Sequence, residues 1–321
     1  MQRDKKHRKL SLFLGFALGL TQCSTPPVIE LEPIDVSQAP VSRPQLTVEN
    51  WPDDAAAVAN VHIVTIPPNY PMDVAVDEGL KTVEEFAVET KALGVLNGGF
   101  FDPNNAQTTS FITVDGSLVA DPRDNSRLLD NSDLAVYMEQ ILNRSEFRRY
   151  DCGEAIRYDI TFHQGPVPDN CVLHSALGAG PQLLPDDSSQ AEGFTDYADG
   201  TLIRDAIGSQ QRNARSTIGI KQDGTLVWVM VAQITPSGGM TLPELSAFMA
   251  SLGIQKALNL DGGSSSSLYA SWPDIGASDI EDGVQPRSYY GRLDQMGQTI
   301  QRPVKSVLLF SRETGAPLST D

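Results

Sequence analysis

The feature that most constrains this chain is the way short β-type runs are cut at close intervals by residues that force a reversal. Asp115-Gly116 lies between runs at residues 111–114 and 117–119, and Asp223-Gly224 between runs at 217–221 and 225–231. An Asp-Gly pair reaches positive φ at little cost, and its twist suits an antiparallel connection, so each pair predicts a hairpin. Residues 61–66 and 72–76 are further runs, parted by Pro67-Pro68-Asn69, which cannot continue a ladder. Residues 257–260 and 304–310 read as two more strands.

Helix signatures are fewer. Residues 82–93 set Val83, Phe86, Ala87, Thr90 and Leu93 on one face, open with a Thr82/Glu85 capping box and meet Gly94 as a stop. Residues 242–252 open with a Thr241/Glu244 capping box and Pro243 in the first turn, and Gly253 ends them. Many hairpin-linked strands with so few helices predict an α+β single domain built on a mixed, largely antiparallel sheet. Residues 186–213 and 271–291 are weakly patterned and read as surface loops near a site.

The N-terminus is of another kind. Arg3, Lys5, Lys6, Arg8 and Lys9 precede an apolar run at 10–20, the charge and length pattern of an export signal, and the run is about half of the roughly 20 residues a spanning helix needs. It ends in Leu20-Thr21-Gln22-Cys23, which resembles a bacterial lipobox apart from Gln22, where a small residue is usual. The expectation is an export signal at 1–22 and lipidation at Cys23, with plain signal-peptidase cleavage as the alternative. Residues 23–50, with five prolines from Pro26 to Pro44, read as a tether, and the domain as 51–321. The protein is accordingly expected in the periplasm or cell envelope, held to the membrane by lipid.

Removal of residues 1–22 would leave 19 Lys and Arg against 40 Asp and Glu. Such a surface repels a phosphate backbone, so nucleic acid is not an expected partner, and an anionic substrate would need a cation placed locally. Cys152 and Cys171 form an even pair, expected as a disulfide in an oxidising compartment against the alternative of two buried thiols.

Three glycine segments remain: Asn97-Gly98-Gly99-Phe100-Phe101, Gly178-Ala179-Gly180-Pro181 and Asn259-Leu260-Asp261-Gly262-Gly263-Ser264. The first and third follow strand-like runs, where paired glycines let backbone approach a ligand and turn N–H groups toward an anion. With Arg215-Ser216-Thr217-Ile218-Gly219 and Gly239-Met240-Thr241-Leu242-Pro243-Glu244-Leu245, their order and spacing are similar to the phosphodiester glycosidase family, from about Asn97 to Tyr269. Two positions depart from it: Ser264 stands where the family has a third Gly, and Ala232-Gln233-Ile234 where it often has Asp-Gly-Arg.

The resemblance implies hydrolysis of a sugar-1-phosphodiester at the anomeric carbon, releasing sugar and a phosphomonoester through an oxocarbenium-like transition state. On that reading Arg215 clamps the phosphate with its planar fork, the alternative being a structural ion pair. Asp261 is the catalytic carboxylate or the acceptor of a sugar hydroxyl, against the alternative of an Asx turn, and Asn97 binds sugar or phosphate or is equally a turn residue. Asp102 is the partner carboxylate, ahead of Glu244, which reads as a helix cap. Gly98, Gly99, Phe100, Gly262, Gly263 and Ser264 line the substrate. His163 and His174 sit in no metal-ligand spacing and read as structural, with His174 a secondary candidate base. The reaction requires no cofactor, and the sequence leaves a divalent cation beside Asp261 open. The rival reading is a non-catalytic envelope protein that binds glycan or cell-wall polymer in the same cleft. A phosphodiesterase cutting the P–O bond is disfavoured for want of a two-metal ligand set.

Overall fold

A computed structural model describes residues 43–52, 56–68, 70–272 and 286–311, so the expected export signal and Cys23 lie outside the described residues. The architecture is α+β, and every strand pairing among the described residues is antiparallel. The parallel element of the expected mixed sheet is therefore missing there, because hairpins and long returns bring each strand back beside its neighbour.

Three sheets carry the fold. The first has six strands in the order Gln45–Trp51, Ala59–Ile66, Leu226–Gln233, Arg215–Lys221, Ile254–Asn259 and Gln182–Leu184. The second runs Arg287–Tyr290, Ser267–Ala270, Ala92–Asn97, Val304–Ser311 and Asp73–Lys81. The third joins Ala155–Phe162, Ser145–Cys152, Val172–Gly178, Ile112–Val114 and Ser117–Ala120.

Period-two alternation explains how the first sheet holds two cores at once. In the fully buried strand Leu226–Gln233, Leu226, Trp228 and Met230 face one core with Leu96, Phe147, Leu177 and Phe310. Val227, Val229 and Val231 face the other, covered by Leu242, Leu245 and Met249 of the helix Leu242–Ser251. Burial on both faces is why this strand reads as a continuous apolar run.

Both capping boxes form as expected, Thr82 with Glu85 and Thr241 with Glu244. The first helix, Val83–Thr90, stops short of the expected residue 93 at Lys91, which adopts φ 56°. Residues from Ala92 onward are needed as a strand, and Gly94 is a strand glycine: a Cβ there would meet the Phe310 ring at 2.3 Å. Both Asp-Gly hairpins form, whereas the runs on either side of Pro67-Pro68 enter different sheets.

The expected tether ends earlier than residue 50. Gln45–Trp51 pairs along its whole length with Ala59–Ile66, and Trp51 lies under the Arg212 guanidinium at 5.2 Å. No proline falls between Pro44 and Pro52, so nothing prevents this stretch from adding an edge strand. The expected loop at 186–213 contains a hairpin, Thr195–Ala198 with Thr201–Asp205. Cys152 and Cys171 are bonded, joining the ends of two neighbouring strands.

Candidate functional site

The motif segments converge where the first two sheets touch, and Asn97 is the junction. Its side chain is fully buried. The Nδ2 group donates to the Asp261 carbonyl at 2.7 Å, while Oδ1 accepts from Ser216 Oγ at 2.6 Å and from the Ser267 N–H at 3.1 Å. The backbone completes the splice, with the Asp261 N–H donating to Gly98 O at 3.0 Å and the Leu260 N–H to Ser216 O at 2.9 Å. Asn97 thus spends its amide on holding Asp261 in place.

The first glycine pair serves the same splice. Gly98 N–H donates to Ser306 O at 2.8 Å and Gly99 N–H to Ser306 Oγ at 3.2 Å, so neither is turned to a ligand. A Cβ on Gly99 would meet the Gly178 carbonyl at 2.1 Å, and one on Gly178 would meet Ser110 Cβ at 2.7 Å and Phe111 O at 2.9 Å, which explains glycine in both segments.

Asp261, Gly262 and Gly263 instead open on a cleft of about 240 Å³, lined also by Phe100, Ala206, Ile207, Asn213, Arg215 and Asn259. The half-buried Asp261 carboxyl is pushed up to about 6 by burial, against the opposing pull of the Ser265 hydroxyl, the Arg302 charge and the Gly262 N–H. A carboxyl so placed changes charge near neutrality, which catalytic acids and bases require.

Arg215 borders the cleft but is 2 % exposed. Its Nε donates to Met240 O at 3.1 Å, Nη1 to Ile207 O at 3.1 Å, and Nη2 to Gly208 O at 2.7 Å and Gln211 O at 2.8 Å. Burial pushes its pKa down to about 10. A guanidinium with four of its five N–H groups committed to carbonyls holds the cleft wall together, which leaves one Nη1 N–H in place of the expected two-pronged phosphate clamp.

Two other arginines stand closer to free charge, and the motifs did not single them out. Arg302 Nη1 donates to Ser264 Oγ at 2.7 Å, and its guanidinium lies 5.2 Å from the Phe101 ring centre. Arg292 Nη1 donates to Asn213 Oδ1. The signal for Arg302 was Ser264 itself, a hydroxyl where a glycine is usual and therefore a group in need of a partner.

Asp102 does not line the cleft. It accepts from the Asn104 N–H at 2.8 Å and from Arg127 Nε at 2.7 Å, contacts that outweigh its burial and hold its carboxyl below the usual range. Glu244 caps its helix and pairs with Arg212 at 2.7 Å. His163 bonds Glu146 and stacks on Phe111, and His174 lies between Asp73 and Asp115; neither lines the cleft. Gln233, in the segment that departs from the family, ties two loops by donating to Gly238 O at 3.0 Å and accepting from the Leu293 N–H at 3.0 Å. Among the described residues no group of three or more His, Cys, Asp or Glu is placed to hold a metal ion.

A site made by splicing an Asn-Gly-Gly strand end to a Leu-Asp-Gly-Gly strand end, with a buried arginine behind it, defines a family. Residues 90–311 match the phosphodiester glycosidase family model, and the chain belongs to that family. Its fold is similar to the zebrafish N-acetylglucosamine-1-phosphodiester alpha-N-acetylglucosaminidase catalytic domain auto-inhibited by its pro-peptide. That likeness has 16 % identity and a TM-score of 0.55, over 86 % of this chain and 85 % of that one. It is also similar to a Burkholderia pseudomallei protein described as a candidate exported protein, at 17 % identity and a TM-score of 0.53, over 79 % and 74 % of the two chains. No curated protein sequence matches it.

Proposed function

We propose that this protein is an exported hydrolase that cleaves a sugar-1-phosphodiester at the anomeric C–O bond. Family membership supports the class of reaction. The observation that carries the reading is the half-buried Asp261 carboxyl, set in a family motif at the edge of a small polar cleft, with a pKa near 6. Ionised, it lies where it can stabilise positive charge building on the sugar as the C1–O bond lengthens. The bonding pair leaves with the phosphate oxygen, water adds to C1, and its proton passes to solvent. Because a phosphate leaves readily as an anion, the site needs a placed negative charge more than a strong acid.

The departing phosphate needs a cation that an acidic surface does not otherwise offer. Arg302 fits this role better than Arg215, since it is partly exposed and fastened to the motif through Ser264 Oγ. Arg215 then acts through the 207–211 segment whose carbonyls it holds. The Cys152–Cys171 bond supports an oxidising compartment, as export requires. Among the described residues no helix is long and apolar enough to cross a membrane.

Hydrolysis in ¹⁸O-labelled water tests the reading. Label in the released sugar is expected. Label in the phosphate would mean P–O cleavage, and binding without turnover would return the molecule to the glycan-binding reading.

A further inference from the structure

Asn259 has no role in the chemistry above, yet it carries an unsatisfied demand. It ends the strand Ile254–Asn259, two residues before Asp261, and is 1 % exposed although it lines the cleft. Its backbone is clamped to the Gly180-Pro181 turn: the Asn259 N–H donates to Pro181 O at 3.0 Å, and its carbonyl accepts from the Gly180 N–H at 2.9 Å. The side chain joins the clamp, with Nδ2 donating to Gly180 O at 2.9 Å.

That last contact fixes the amide orientation. A carbonyl oxygen can only accept, so the nitrogen must face Gly180 and Oδ1 must point the other way. Gly180 is itself held firmly. It adopts φ +113°, a conformation that favours glycine, and a Cβ there would meet Glu192 Oε2 at 2.3 Å. Glu192, fully buried, accepts from the Ser145 N–H at 2.9 Å, Ser145 Oγ at 2.8 Å and the Gln182 N–H at 3.0 Å. The Asn259 amide therefore cannot turn without losing its bond to Gly180 and setting two carbonyl oxygens against each other.

Oδ1 so oriented is buried and has no hydrogen-bond partner in the protein. Native folds seldom leave a buried amide oxygen unpaired, because its lost hydration is not returned. Among the described residues, it is the only such atom whose residue lines the cleft. We infer that Asn259 Oδ1 is a specificity-determining acceptor that reads one hydrogen-bond donor, a hydroxyl or amide N–H, on the sugar ring. The inference rests on the proposed sugar-phosphodiester reading and deepens it, since the cleft would then discriminate sugars by a single ring donor.

The test compares substrates on one protein. The probes are an N-acetylglucosamine-1-phosphodiester and its monodeoxy or desamido analogues, each lacking one ring donor. The wild type is expected to lose about 10- to 100-fold in kcat/KM on one analogue. Asn259→Ala should abolish the parent substrate's advantage over that analogue, whatever common factor the lost Gly180 contact imposes on both. Loss of the Gly180 contact affects all substrates alike, so an equal factor on every one would show Asn259 to be only a support and overturn the inference.

Binding is read separately, from the Asn259 side-chain amide resonance of the labelled wild type during titration with the free sugars. A shift with the parent sugar that disappears with one deoxy sugar upholds the inference even if nothing is turned over, and only the glycosidase reading then fails. No shift with any sugar at millimolar concentration overturns the inference even if turnover is observed.

Discussion

Two glycine-pair turns end strands at this site, and their fates are opposite. Gly98-Gly99 is packed backbone to backbone, with both N–H groups donated to Ser306 and no space for a Cβ. Gly262-Gly263 is looser: a Cβ on Gly262 would find Ala214 O at 3.1 Å, and the turn borders the cleft with Asp261 beside it. The same pair of letters serves assembly in one place and borders an open cleft in the other. The Gly263 N–H is also donated to backbone, to Ala214 O at 2.8 Å, so what separates the turns is whether neighbouring backbone fills the space of a side chain and which of them borders the cleft.

The sharpest way to break this comparison is Asp261→Asn. If the second turn is the chemical one, kcat should fall by about 10²- to 10⁴-fold while KM moves little and the fold survives. In the parent enzyme, kcat/KM should decline as pH drops below about 6, because protonation removes the charge the transition state needs. A folded Asp261→Asn with near-normal kcat would refute the assignment.

Gly99→Ala should do the reverse, costing stability by about 3 kcal/mol, since the Gly178 carbonyl at 2.1 Å is backbone and cannot swing aside. Gly262→Ala, with its nearest atom at 3.1 Å, should cost about 1 kcal/mol or less. Urea denaturation of the two variants measures the difference, and equal losses would remove the distinction between the turns.

Much of this was legible in the sequence, for reasons that differ by element. Capping boxes and Asp-Gly turns are local, so the two helix starts and both hairpins could be read from a few residues each. The end of the first helix was not local: Lys91 stops it because residues 92–97 are claimed by a sheet whose other strands lie as far away as Val304–Ser311. The family motifs brought the right segments together but not their roles. Nothing in Arg215-Ser216 says that three carbonyls of the preceding loop and that of Met240 wait for the guanidinium, and Ser264 signals a need for a partner without naming Arg302.

Stability against pH sharpens the comparison further. The folded state holds the Asp261 proton more tightly than an unfolded chain does, with a pKa near 6 against an ordinary value of 3.8. Its favourable contribution is therefore complete below about 4 and is lost as pH rises through about 6. Asn cannot ionise, so Asp261→Asn should gain on the order of 1–3 kcal/mol relative to the parent between pH 4 and pH 7. Melting curves at the two pH values read this directly, and a pH-independent difference would mean that the carboxyl is not perturbed.

Asp102 should show the smallest effect, and it guards the assignment from the other side. It follows the first turn directly and was expected as the partner carboxylate, yet its oxygens face the Asn104 N–H and Arg127, whose side chain is 54 % exposed. An ion pair with so exposed a partner contributes under about 1 kcal/mol and weakens with added salt. Its carboxyl lies below the usual range, so that contribution is present above about pH 4 and is lost as the group protonates on acidification. Asp102→Asn keeps the size and one acceptor for the turn, and should therefore lower stability by a few tenths of a kcal/mol and leave turnover unchanged within about twofold. Kinetics at two salt concentrations beside a melting curve decide it. A large, salt-independent loss of turnover, on the order of a hundredfold, would bring Asp102 into the site and make the first turn chemical after all.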